Sequence, residues 1–245
     1  MPRIYLSPSL QEGNPYVIGG NEEEYMNRVA DAMEPYLRSN GISFTRNRPD
    51  ITLSQAIAES NAGNYDLHLA LHSNAAPQSL AGQLQGTDVY YYEPSAAGKL
   101  AATDIANQFK EIYPDPALVK AVPTTRLAEV VRTRAPAVLV EIAYHDNPQD
   151  AEWIRDNIDA IGRNLVQGLC IYFGIPFIEA QPARTGTVSI QSGVLNLRSR
   201  PDPTAQVIAT MPRGAAVTIL GEWQGWYVID YNGTIGYAAS RYIAA

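Results

Sequence analysis

Tyr65-Asp-Leu-His-Leu-Ala-Leu-His-Ser-Asn-Ala75 is an almost unbroken apolar run that delivers His72 just before Ser73 and Asn74. A second run, Ala135-Pro-Ala-Val-Leu-Val-Glu-Ile-Ala-Tyr-His-Asp-Asn-Pro-Gln-Asp150, carries Val138, Leu139 and Val140 straight into Glu141. Near-continuous apolar segments of this length are the mark of central strands covered by helices on both faces. Open α/β sheets bind ligands beyond the carboxyl ends of such strands. Two such strands would bring a histidine and a glutamate to one rim.

The flanking sequence alternates between strand and helix patterns. Arg3 to Leu6 reads as a short strand, and Glu22 to Asn40 as an amphipathic helix with Met26, Val29, Ala30, Met33 and Leu37 on one face. Gly41 supplies the helix stop. Strands are predicted at Ile42–Thr45, Asp66–Leu71, Val89–Tyr92 and Val138–Glu141, and helices at Leu53–Asn61, Ala97–Ile112 and Ala151–Phe173. This alternation predicts an α/β layered domain over residues 1–176. The periodicity stops across residues 177–185, which read as a linker. Residues 186–245 change to six short β segments punctuated by turn residues, including Gln224-Gly225 and Asn232-Gly233. An Asn-Gly pair between two such runs is a strong hairpin signal, and sixty residues of this kind predict a small all-β barrel.

Composition excludes some classes. Up to Pro176 there are 13 basic against 21 acidic side chains, and 5 against 4 after it. An acidic α/β region is a poor electrostatic match to nucleic acid, so no nucleic-acid partner is expected. No apolar stretch is long enough to insert into a membrane, and the opening Met1 to Leu10 has no signal-like run, so no export route is encoded in the chain as given. The single cysteine, Cys170, excludes an internal disulfide and reads as a packed core thiol.

Two resemblances emerge from the residues. Leu195-Asn-Leu-Arg198 with its following Pro-containing turn, Gly214, Gly225-Trp-Tyr-Val228 and Gly236-Tyr-Ala238 resemble a bacterial SH3-like (SH3b) domain. Such modules attach cell-wall enzymes to peptidoglycan, which the resemblance therefore implies as a partner; a spacer barrel with purely structural aromatics is the alternative. Residues 4–174 resemble the zinc-dependent N-acetylmuramoyl-L-alanine amidases of the amidase-3 family. The features run in order: an acidic residue opening the first helix, Gly41, Thr45-Arg46, Asp50, Leu53, Asn61, the strand into His72 with Asn74, and Pro136 to Glu141 with Asn147 and Asp150 behind it. This resemblance implies a mixed, mostly parallel sheet flanked by helices, action outside the cell or at the cell wall, and hydrolysis of the amide between N-acetylmuramic acid and L-alanine.

It also implies a site. Glu22, with Glu23 as alternative, and His72 would bind Zn2+, Glu141 would act as general base, and Asn74 would contact substrate. The family's first strand usually ends in Asp-Pro-Gly-His-Gly, and this chain has Leu6-Ser-Pro-Ser-Leu-Gln11 instead, so one expected histidine ligand is missing. His145, four residues beyond Glu141 in a loop leaving the same rim, is the replacement selected from the sequence, with Gln11 and Asn14 as weaker polar substitutes. His68 lies four residues before His72, about 13 Å along a strand, too far to share an ion. It reads as a hydrogen-bonded core histidine. Two further alternatives stay open: a non-catalytic wall-binding protein on a decayed amidase, and a metallopeptidase or deacetylase acting on the same polymer.

Overall fold

The computed structural model describes all 245 residues. The chain divides into two compact units, one of Arg3–Met33 and Phe44–Phe173, the other of Met1–Pro2, Glu34–Ser43 and Gly174–Ala245.

The first unit is built on six strands: β1 (Arg3–Pro8), β2 (Ser43–Arg46), β3 (Leu67–Asn74), β4 (Thr87–Tyr92), β5 (Val119–Thr124) and β6 (Ala137–Tyr144), in the order β2-β1-β3-β6-β4-β5. β1 with β3, β3 with β6 and β4 with β5 are parallel, and β4 runs antiparallel to β6. The sheet is therefore mixed and mostly parallel. The helices are α1 (Glu22–Ser39), α2 (Leu53–Ala62), α3 (Ala96–Phe109), α4 (Ala128–Val131), α5 (Pro148–Asp156) and α6 (Ile158–Phe173).

The two apolar runs form the sheet's centre, as their composition predicts. Leu67, Leu69 and Leu71 of β3 and Val138, Val140 and Ile142 of β6 are all fully buried, each contributing roughly 1.5–3 kcal/mol through apolar burial. Registration of Leu71 with Val140 places His72 directly beside Glu141. A shift in register follows between His72 and Asn74, the kind of irregularity that re-aims side chains at a strand end.

Two elements differ from the sequence reading. β5 was absent from it, because Pro123 lowers the strand signal; the structure places this strand at the sheet edge, where a missing N–H is tolerated. The helix expected over Ala151–Phe173 is two helices. Asn157 breaks it at φ −122° and ψ 20°, and its Nδ2 donates to the Trp153 carbonyl at 2.8 Å, satisfying a carbonyl that continued helix would have used.

The loop after β6 is held by two of the residues that pointed to the family. Asn147 caps α5 by accepting from the N–H groups of Gln149 and Asp150, with Pro148 at the first helical position. Its Nδ2 donates to the Gly82 carbonyl at 3.0 Å. Asp150 is 3 % exposed and accepts from Tyr113 Oη at 2.6 Å, Tyr144 N at 3.0 Å and Gly86 N at 3.1 Å. These two side chains thus hold the exit of the rim in place.

The second unit carries a seven-stranded antiparallel sheet, β7 (Arg184–Val188), β8 (Val194–Arg198), β9 (Val207–Pro212), β10 (Ala216–Trp223), β11 (Trp226–Tyr231), β12 (Thr234–Ala239) and β13 (Ile243–Ala244), ordered β13-β7-β10-β11-β12-β8-β9. Its core gathers alternate strand residues, among them Leu195, Leu197, Val217, Ile219 and Ile229. Asn232 and Gly233, at φ +53° and +81°, close the β11–β12 hairpin between the paired Tyr231 and Thr234. Positive φ at both central residues is what a two-residue hairpin turn of the matching twist requires. Gln224 and Gly225, at +44° and +82°, repeat this between Trp223 and Trp226. Within residues 177–185, Ile178 is buried, its N–H donating to Asn40 Oδ1 at 2.6 Å and its carbonyl accepting from Asn40 Nδ2 at 2.8 Å.

Replacing Asp150 by Ala strips the partner from one buried hydroxyl and two backbone N–H groups. At about 1–3 kcal/mol for each orphaned group, urea unfolding should show a loss of roughly 3 kcal/mol or more. A loss below about 1 kcal/mol would mean that this carboxylate does not organise the loop.

Candidate active site

Three elements converge on His72. The ring leaves the carboxyl end of β3, 9 % exposed, with its Nδ1 2.8 Å from Glu22 Oε1 and its Nε2 3.0 Å from Glu129 Oε2. Glu22 opens α1, where the helix dipole favours a carboxylate, and it is buried. Its second oxygen accepts from Asn14 Nδ2 at 2.6 Å. Glu22 rather than Glu23 is the glutamate that reaches His72; Glu23 lines a groove with Gln11, Asn14, Glu12 and Asp50.

Glu129 is the residue that sequence reasoning missed. It sits on the one-turn helix α4, 4 % exposed, and gathers Ser7 Oγ at 2.6 Å and His68 Nε2 at 3.2 Å on its Oε1 while Oε2 faces His72. His68 is fully buried, with its Nδ1 2.9 Å from Ser60 Oγ and its ring stacked on Tyr5, as its place deep in the strand predicts. A lone acid inside the apolar stretch Leu127-Ala-Glu-Val-Val131 was the available signal. A charge on so short an apolar segment is buried only when paired.

The charges respond to one another. Burial works against a charged His72, but the hydrogen bonds with Glu129 and Glu22 outweigh it and hold its pKa well above the usual imidazole value. Burial likewise pushes Glu129 and Glu22 up, and the histidines overcome it, leaving both carboxyls below the ordinary range. Glu141 goes the other way. Burial raises it, His72 opposes this, and the neighbouring acids Glu22, Asp88 and Glu129 add to the rise, so that its pKa is pushed up to about 7. Its Oε2 is buried and has no hydrogen-bond partner.

His145, selected from the sequence as a ligand beside Glu22 and His72, makes its contacts outside this cluster. It is 4 % exposed, its Nδ1 lies 3.0 Å from both Ser73 Oγ and the Ser73 carbonyl, and its ring stacks on Tyr16. Its ring is taken up by Ser73 and Tyr16, and its hydrogen bonds run to Ser73 rather than to Glu22 or His72. No group of three His, Cys, Asp or Glu side chains is arranged to hold a metal ion. Gln11 reaches both members of the pair, with its Nε2 3.3 Å from His72 Nδ1 and 3.5 Å from Glu22 Oε1. Asn74 lies at the same strand end, where its Oδ1 accepts from Ala75 N at 2.9 Å and its carbonyl from His145 N at 2.8 Å.

Comparison with known proteins identifies the family. Residues 9–170 match the family model described as N-acetylmuramoyl-L-alanine amidase, and residues 193–244 that of the bacterial SH3 domain. The protein named "Probable cell wall amidase LytH" of Staphylococcus aureus is 26 % identical over 154 residues, covering 62 % of this chain and 50 % of that protein. The chain spans half or less of the length of the curated relatives it matches first. Among solved structures, N-acetylmuramoyl-L-alanine amidase AmiC2 of Nostoc punctiforme aligns with a TM-score of 0.62 at 17 % identity, over 71 % of this chain and 97 % of its own. The catalytic domain of CwlV from Paenibacillus polymyxa aligns with 0.62 at 18 %, over 72 % and 100 %. These likenesses show the fold. Together with a family match that spans most of the chain, they place this protein in the amidase-3 family of N-acetylmuramoyl-L-alanine amidases, with a bacterial SH3 domain following the amidase domain.

Proposed function

We propose that this chain hydrolyses the amide bond between N-acetylmuramic acid and the L-alanine of the peptidoglycan stem peptide, outside the cell or at the cell wall, with Glu141 as general base beside a zinc site formed by Glu22 and His72. The observation that carries the reading is Glu141: a carboxylate in register with His72, with one buried oxygen left without a partner and an affinity for protons matched to neutral pH. Buried polar atoms are almost always paired, and an orphan at a strand-end rim points to a water or substrate group that completes it.

The residues fit a zinc ion. His72 Nδ1 and Glu22 Oε1 face one point from opposite elements, and a carboxylate on the far ring nitrogen is the usual outer partner of a metal-bound imidazole. Zinc bound there would polarise the substrate carbonyl and bring the pKa of a bound water to about 7. Glu129 accepts from His72 Nε2 and would hold the ring in the tautomer whose Nδ1 lone pair binds the ion, in place of the proton Nδ1 otherwise shares with Glu22. Asn14 fixes the Glu22 carboxylate through its second oxygen. Glu141 takes a proton from the attacking water and returns it to the leaving amine. Asn74, at the end of the same strand, is proposed to contact the substrate.

The barrel is proposed to hold the wall polymer. A cavity of about 1030 Å³ on its surface is lined by Trp226, Tyr242, Arg241, Asn196 and Gln191 among others, a mixture of aromatic faces and polar groups suited to a peptide or sugar chain. A second reading, a non-catalytic wall-binding protein, is favoured by the lack of a histidine across Leu6–Gln11.

Digestion of purified peptidoglycan followed by mass spectrometry separates the readings: release of stem peptides with a free L-alanine amino terminus supports the amidase. Cleavage within the peptide, or no release with intact wall binding, would exclude it. Glu141→Gln should keep the fold and lose at least about 10²-fold in turnover, the scale of a general base. The rate of the unaltered protein should fall as the medium is acidified through an apparent pKa of about 7 or below, because the base works only when deprotonated and a nearby cation lowers its pKa.

Glu129→Gln keeps the shape but removes the charge that orients His72. Outer-partner losses of this kind weaken metal sites roughly 10–100-fold, which zinc titration of the folded variant would show. Unchanged zinc affinity would make Glu129 a purely structural residue.

The paired substitution Trp226→Ala with Tyr242→Ala should reduce cosedimentation with cell walls while hydrolysis of small soluble muropeptides persists, since tethering acts through local concentration.

A further inference from the structure

Glu22 Oε1, His72 Nδ1 and the Gln11 carboxamide form a triangle with sides of 2.8, 3.3 and 3.5 Å. Ligand atoms on one face of a zinc tetrahedron, at bond lengths of 2.0–2.1 Å, are separated by about 3.3 Å. With a hydrogen on Nδ1, both the ring and the Gln11 amino group can donate to Glu22 Oε1, yet the three corners stand at the spacing of zinc ligands and within reach of one ion. Rotating the carboxamide by half a turn exchanges Oε1 and Nε2 without altering its shape. Three lone-pair donors then converge on one point, the arrangement a divalent cation resolves.

We propose that Gln11, through its carboxamide oxygen, is the third protein ligand of the cation held by Glu22 and His72. The inference rests on reading this cluster as a metal site. Gln11 stands where β1 leaves the rim, beyond Ser9, whose Oγ accepts from the Gln11 N–H at 3.2 Å and so anchors the turn that aims the side chain. Asn14 bridges Gln11 and Glu22 at 2.9 and 2.6 Å, coupling the positions of the amide and the carboxylate. After the amide rotates, Asn14 gives up its 2.9 Å bond to Gln11, whose amino group now faces it, and keeps the shorter bond to Glu22. A neutral oxygen in place of an imidazole makes a site of the same shape but lower affinity, because an amide oxygen is a harder, weaker donor to zinc than nitrogen.

The test is zinc affinity of the full chain, measured by competition against a chromophoric chelator with no substrate present. Gln11 is exposed, so replacing it does not threaten the core. The unaltered protein should bind one zinc ion. Gln11→Leu should weaken binding at least about tenfold, and Gln11→His and Gln11→Glu should each tighten it by a similar factor. His145→Ala should leave the affinity unchanged. The ligand role is overturned if Gln11→Leu binds zinc as tightly as the unaltered chain, or if the unaltered chain binds none. Peptidoglycan products form a separate arm. Zinc bound through Gln11 with no release of stem peptides would sink the amidase reading alone, and release with unchanged affinity in Gln11→Leu would sink the Gln11 role alone.

Discussion

The chain of contacts from Glu22 through His72 to Glu129 is the constraint on which the site depends. A buried imidazole flanked by two carboxylates is stable only if all three charges are held at hydrogen-bonding distance, because each alone would bear a desolvation cost of several kcal/mol. That requirement ties together the start of α1, the end of β3 and the single turn of α4, and through Ser7 and His68 it extends into β1 and along β3. Glu141 lies beside this network without joining it by a hydrogen bond. Its carboxyl is therefore raised by the same burial and neighbouring acids that the network's own members overcome by pairing. Two environments a few ångströms apart thus separate carboxylates that stay ionised from one that can exchange a proton at neutral pH.

At the exit of β6 the supporting polar groups are mostly backbone-directed. Asp150 and Asn147 satisfy N–H groups there and hold the loop carrying His145, whose ring is committed to Ser73 and Tyr16. Residues that mark the family thus need not touch substrate: these two act through loop geometry.

In the barrel, positive φ at Asn232-Gly233 and Gln224-Gly225 closes two tight hairpins. These turns set the register of β10, β11 and β12 and leave Trp226 and Tyr242 lining one surface cavity.

The sequence by itself determined the layer architecture, the two central strands, the meeting of His72 with Glu141, the hairpin turn at Asn232-Gly233 and the choice of Glu22 ahead of Glu23. The first four follow from periodicity, turn chemistry and the ends of two apolar strands, and the last from resemblance to the family's first helix. Tertiary structure alone decided what flanks the imidazole. Glu129 is 57 residues from His72 and Gln11 is 61 residues away, and no local pattern reports a pairing over that separation. His145 illustrates the converse: it is near Glu141 in sequence and leaves the same rim, yet its ring is taken up by Ser73 and Tyr16. Strand pairing decides which residues share a rim, but the contacts of each side chain in three dimensions decide which of them meet.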